Sequence, residues 1–150
     1  MEELSLSAVE VKVVNRSSKP LPKVSVMNPS ELDVSAHMWD GRPVVVPNGG
    51  GSDVLHTLLA VEVPEGYEII VLPHRRLELV SLVTAFGKPR VINSGCLTEI
   101  LVEVTNNGKK DFVIHDGDEI ATLKLRRKII WTELIPPDST LYNEKYGGGK

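Results

Sequence analysis

With 150 residues and 41% hydrophobic content, the chain has the size of one domain and enough apolar material for a single core without disulfides or structural metal. A formal net charge of −3, with Lys and Arg dispersed among Asp and Glu, sets up no field that recruits a nucleic-acid backbone or an anionic membrane. The single cysteine, Cys96, excludes an internal disulfide and any multi-cysteine zinc site, and suits a reducing, intracellular setting.

The chain starts with "MEELSLSAVEV", which is acidic and lacks the basic start and apolar run of a secretory signal, and no stretch is long enough for a membrane span. A soluble protein is expected. Short runs rich in Val, Ile and Leu follow in order: "AVEVKVV", "PVVV", "LLAVEV", "EIIVL", "EILVEV", "FVI" and "IATLKLRRKIIW". Several alternate with the period of two that half-buried strands require.

Turn chemistry separates the runs. "VPNGGGSD" at 46–53 reads as a flexible loop and "VPEGYE" at 63–68 as a break. "NNGKK" at 106–110 and "HDGDE" at 115–119 carry the Asn-Gly and Asp-Gly pairs that suit tight hairpin turns. "RRLELVSLVTAF" at 75–86 has too many β-branched residues for a convincing helix and reads as irregular or strand. "RVINSGCLTEI" at 90–100 reads as a buried strand leaving a turn, and the basic "KLRRK" at 124–128 as the solvated face of a strand. The expectation is an all-β fold, a barrel or two packed sheets, forming one domain over 1–145 with a glycine-rich tail at 146–150.

From about residue 60 onward, the order of segments resembles the trimeric dUTP diphosphatase (dUTPase) family, which includes the related dCTP deaminases. "LLAVEVPEGYEIIVLPHRRLEL" is similar to the family run in which a strand, a Pro-Glu-Gly-Tyr turn and a second strand lead into an Arg-Ser-Gly-Leu phosphate motif. "RVINSGCLTEILVEVTNNGKKDFVIHDGDEIATLKL" resembles the Gly-Val-Ile-Asp-x-x-Tyr-Arg-Gly motif, a strand, an Asn-x-Gly turn and the Gly-Asp-Arg-Ile-Ala-Gln motif. Upstream, "PSELDVSAH" at 29–37 resembles the first motif, with Asp33 at its aspartate. The resemblance implies a β-clip, or distorted jelly-roll, subunit that forms homotrimers. It also implies active sites between subunits, and a C-terminal glycine-rich arm that closes over a nucleotide held with magnesium.

Against that pattern the reactive positions are altered. The family's general base, an Asp, falls at Asn93, whose amide cannot take a proton from water; removing a general base typically costs ~10²- to 10⁴-fold in rate. The Tyr that packs on the deoxyribose falls at Cys96, which reads as a buried structural thiol. His74, Arg75 and Arg76 stand where Arg-Ser-Gly would be, and the arginines suit either anion binding or ion pairs between subunits. Gly117 and Asp118 keep the fourth motif, with Thr122 in place of its Gln. Tyr146 and Lys150 in "YGGGK" are the candidate lid and phosphate contact. In the deaminase register Glu103 falls at the catalytic Glu, and Asp33, Glu99 and Glu103 are the carboxylates able to orient water in place of residue 93. His37, His56, His74 and His115 show no ligand spacing, so no resident metal is expected, and Mg²⁺ only with a bound nucleoside triphosphate.

These readings point to a dUTPase-fold protein that has lost efficient pyrophosphatase chemistry. It would act as a binding, regulatory or structural module with a nucleotide or protein partner, in a virus or mobile element and even associated with a virion. The alternative is an active diphosphatase for dUTP or another deoxynucleoside triphosphate, and a third reading is a pure assembly protein.

Overall fold

The computed structural model describes residues 8–22, 24, 26–78, 82–84, 90–95 and 97–134. Among the described residues the regular structure comprises ten strands and one helical turn: β1 (Lys12–Asn15), β2 (Glu31–Ser35), β3 (Val44–Val46), β4 (Gly51–Glu62), β5 (Tyr67–Pro73), α1 (Arg75–Glu78), β6 (Leu82–Thr84), β7 (Arg90–Asn93), β8 (Glu99–Asn106), β9 (Phe112–Ile114) and β10 (Glu119–Arg127). They form one sheet in the order β1-β4-β8-β6, a second in the order β2-β10-β5-β7, and a two-stranded β3-β9 ladder. Each pairing is antiparallel.

The period of two explains the core. On β4, Leu55, Thr57, Leu59 and Val61 are buried; on β8, Ile100, Val102 and Val104. The second sheet answers with Val34, Ile69, Val71, Ile92 and Leu123, and the short ladder adds Val46 and Ile114 to the same cluster. Burying each such side chain contributes roughly 1.5–3 kcal/mol, so the alternation fixes which face of each strand meets the other sheet.

The expected hairpins at "NNGKK" and "HDGDE" do not form, because β8 and β9 do not pair with each other, nor do β9 and β10. These turns carry the chain from one sheet to the next. Asn106 is the physical reason at the first: its buried amide donates to the carbonyls of Val46 (2.9 Å) and Lys110 (2.8 Å) and accepts from Gly108 N–H (2.9 Å). It pulls three segments together at a place where a hairpin would need only two. At the second turn Gly117 supplies a φ of 89° and donates to Ala36 O at 2.9 Å, stitching the turn to the end of β2.

The loop expected at 46–53 is likewise tied down. Gly50 N–H donates to Asn106 O (2.8 Å), and Asn48 donates to Asp111 from both its backbone N–H and its side-chain amide. From Gly51 the chain is already strand, so β4 begins seven residues before the apolar run does. The segment at 75–86 holds the one-turn helix α1, anchored by the fully buried Leu77, and then β6. At the other end, β10 stops at Arg127, and Ile129, Ile130 and Trp131 are exposed beyond it. Strand β2 was not among the apolar runs, because its "ELDVS" alternates poorly and is only half buried.

Candidate functional site

Three adjacent strands of the second sheet, β2, β10 and β5, bring distant parts of the sequence to one end of that sheet. The β2–β10 register sets Asp33 opposite Thr122, and the β10–β5 register sets Pro73 opposite Ala121, so His74 emerges beside them. Asp33 is fixed through one oxygen: Thr122 Oγ1 donates to Asp33 Oδ1 at 2.7 Å. Its other oxygen, Oδ2, lies 3.8 Å from His74 Nε2, and Glu119 Oε1 lies 3.4 Å from the same nitrogen. His74 is the least exposed of the three, with 17% of its side chain accessible against 44% for Asp33 and 50% for Glu119.

The backbone around His74 is rigid for a reason visible in its bonds. His74 N–H donates to Ile120 O (3.0 Å), Leu77 N–H donates to His74 O (2.8 Å), and Arg76 N–H donates to His74 Nδ1 (3.2 Å). The last bond sets the tautomer, because a ring nitrogen that accepts leaves the proton on Nε2. Arg76 extends to Asp118, Nη2 to Oδ2 at 3.3 Å, and the same Asp118 oxygen accepts from His115 N–H at 2.8 Å. Arg75 is exposed and makes no ion pair among the described residues.

Of the sequence candidates, then, Asp33, His74, Arg75, Arg76, Gly117, Asp118 and Thr122 converge. Asn93 does not join them within one chain. It is the exposed last residue of β7, paired with Glu68 at the far end of β5 from His74, and the six residue steps from Glu68 to His74 separate the two by about 20 Å. Glu103 sits exposed on β8 opposite Val54, in the other sheet. Glu99 is already claimed: its Oε2 accepts Leu58 N–H at 2.9 Å and faces His56 Nδ1 at 3.1 Å. Cys96, Tyr146 and Lys150 lie outside the described residues.

Glu119 was missed by sequence reasoning. It occupies the variable position inside Gly-Asp-x-Ile-Ala, and only the pairing of β10 with both β2 and β5 places it beside residues 33 and 74.

A dUTPase family model matches residues 23–147. The chain belongs to the dUTPase family. Curated deoxyuridine 5'-triphosphate nucleotidohydrolases are similar along much of their length. The protein from Anaplasma marginale is 30% identical over 131 residues, 84% of this chain and 87% of that one. The Finegoldia magna protein is 28% identical over 144 residues, covering 91% and 94%. The match to the Caulobacter vibrioides protein reaches 32% identity over 102 residues and spans 65% of that protein's length.

Solved dUTPases share the fold at low identity. A point mutant of the dUTPase from phage phi11 of S. aureus, whose structure details the coordination of a structural Mg(II) ion, superposes with a TM-score of 0.69 at 18% identity, covering 87% of this chain and 98% of that one. The EIAV dUTPase superposes at 0.64 and 17%, covering 85% of this chain and all of that one. The all-β expectation, and the family resemblance drawn from the motifs, both hold. Among the described residues no helix is long and apolar enough to cross a membrane.

Proposed function

We propose that this protein is a dUTPase-type hydrolase that cleaves a deoxynucleoside triphosphate, dUTP first among them, to the monophosphate and pyrophosphate through a remodelled phosphate face. The observation that carries this reading is the convergence of Asp33, His74, Arg75, Arg76, Asp118 and Thr122 at one end of β2-β10-β5. Three separate sequence segments supply those groups, and they combine an oriented carboxylate with two arginines, one of them paired to Asp118, as a polyphosphate site requires. Membership of a family whose curated relatives are nucleotidohydrolases favours retained hydrolysis over a scaffold without chemistry.

In the reaction, water attacks the α-phosphorus, the bond to the bridging oxygen breaks, and pyrophosphate departs. Arg75 and Arg76 would offset the charge of the phosphate chain. Asp33, with Oδ1 held by Thr122, presents a hard oxygen suited to Mg²⁺ arriving with the nucleotide. That ion would neutralise phosphate charge and orient the leaving group. Asn93 can orient water with its amide but cannot take the proton, so turnover is slow relative to a carboxylate at that position. Because Asn93 lies about 20 Å along β5 from His74, the working site takes Asn93 from a second copy, in keeping with a homotrimer.

A panel of deoxynucleoside triphosphates with Mg²⁺, assayed for monophosphate and pyrophosphate, tests the proposal. Release of both products from at least one nucleotide supports it. A second reading, nucleotide binding without turnover, is favoured by Asn93 alone, and tight binding of a nonhydrolysable dUTP analogue with no product from any nucleotide would establish it instead.

A further inference from the structure

We infer that Asp33, His74 and Glu119 form a site for a divalent first-row transition ion, of the Zn²⁺ or Mn²⁺ class, that this protein binds without any nucleotide. One ligand atom from each of the three lies within 4.8 Å of the other two. The spacing has the character of a coordination shell. His74 Nε2 stands 3.4 Å from Glu119 Oε1 and 3.8 Å from Asp33 Oδ2, too far for good hydrogen bonds, whose N···O distances centre near ~2.9 Å. Donors bound tetrahedrally at ~2.0–2.2 Å stand about 3.3–3.6 Å apart, so the two distances at His74 are near that spacing, and the Asp33–Glu119 separation, within 4.8 Å, closes to it as an ion is seated.

The surroundings hold the donors ready. Thr122 fixes the Asp33 carboxylate by its Oδ1 and leaves Oδ2 turned toward the imidazole, which is the orienting role that outer groups play around metals. The backbone bonds of His74 to Ile120 and Leu77 fix the main chain from which the ring projects. Arg76 is turned onto Asp118. An imidazole with two carboxylates favours Zn²⁺ or Mn²⁺ over Ca²⁺, which takes an all-oxygen shell. Three protein donors also leave a position open to water or to an incoming ligand.

Coordination at Nε2 has a structural signature. The ring proton must move to Nδ1, which now accepts from Arg76 N–H at 3.2 Å, and that bond is lost when the ion binds.

The site shares Asp33 and His74 with the proposed phosphate face, but it needs no nucleotide and is tested without one. Full-length, untagged protein freed of metal with a chelator would be titrated calorimetrically with Zn²⁺ and with Mn²⁺. Co²⁺ absorption would report imidazole coordination, and the Arg76 amide resonance would be followed by NMR. The expected result is one ion per chain, a moved Arg76 resonance, and affinity lowered at least tenfold in both Glu119→Gln and His74→Gln at unchanged melting temperature of the metal-free proteins. Glu119 is half exposed, so its substitution leaves the fold intact and keeps the test decisive if the histidine variant misfolds. No stoichiometric binding, or binding that survives Glu119→Gln, would overturn the inference, the latter by placing the ion at His37, His56, His115 or elsewhere.

Discussion

Asp33 and Glu99 are both carboxylates on strands, each anchored to a neighbouring strand, yet they belong to different kinds of place. Glu99 is spent on architecture. It holds the bulge of β4 between His56 and Ala60, where Leu58 adopts a φ of 58°, by accepting Leu58 N–H, while Thr57 Oγ1 bonds Ile100 O and Arg16 N–H bonds Leu58 O. A left-handed conformation is costly for a non-glycine residue, by about 1–2 kcal/mol, so the surrounding bonds must hold it. Asp33 has one oxygen anchored and one turned toward His74. The contrast teaches that a carboxylate's sequence position says little about its chemistry until its backbone obligations are known.

The largest effect that would sharpen the contrast lies in turnover. Asn93→Asp should raise kcat for the hydrolysed nucleotide by about 10²- to 10⁴-fold with little change in analogue affinity, read by steady-state product formation. No increase would mean that residue 93 is not beside the reacting water.

The next test exchanges the two carboxylates' roles. Glu99→Ala should cost about 2 kcal/mol of stability by stranding Leu58 N–H, lowering the melting temperature by several degrees at fixed protein concentration. Asp33→Asn should melt within about 1 kcal/mol of the parent and lose turnover instead. If both variants fail in the same assay, the division between architecture and chemistry is broken.

Smaller effects follow at the bulge. Leu58→Gly removes left-handed strain but frees the unfolded chain, and the two nearly offset, leaving stability within about 1 kcal/mol. Leu58→Val should be worse by about 1–2 kcal/mol, because a β-branched residue tolerates positive φ poorly. Urea midpoints distinguish the pair.

The smallest concerns acid. Asp116 accepts Met38 N–H at 2.8 Å and, next in weight, pairs with Lys19 Nζ at 2.9 Å, and these hold its carboxyl below the usual value of 3.8. A lowered folded-state pKa means that the stabilisation is present above about pH 4 and is lost as pH falls through the lowered value. Asp116→Asn should therefore flatten the fall in melting temperature below about pH 4, by an amount that shrinks with added salt.

Much of the fold was legible because period-two alternation and turn residues report strands directly. Val61, Val71, Val102 and Ile120 all sit in the core that their alternation implied. What failed was sheet membership. Asn-Gly and Asp-Gly signal a turn but not whether the strands beside it pair, and the buried amide of Asn106 that sends them apart shows no local signature. The site was half legible for the same reason. Asp33, His74 and Thr122 were marked by motif position, whereas Glu119, and the commitment of Glu99 to the bulge, depend on strand registers that no local pattern encodes.

The most direct test of the account is a single-turnover reaction, with enzyme in excess over dUTP and Mg²⁺ present, quenched and resolved into nucleotides. The account predicts slow, complete conversion to dUMP and pyrophosphate, faster in Asn93→Asp and absent in Asp33→Asn. Unchanged dUTP in the parent and in Asn93→Asp alike would contradict it.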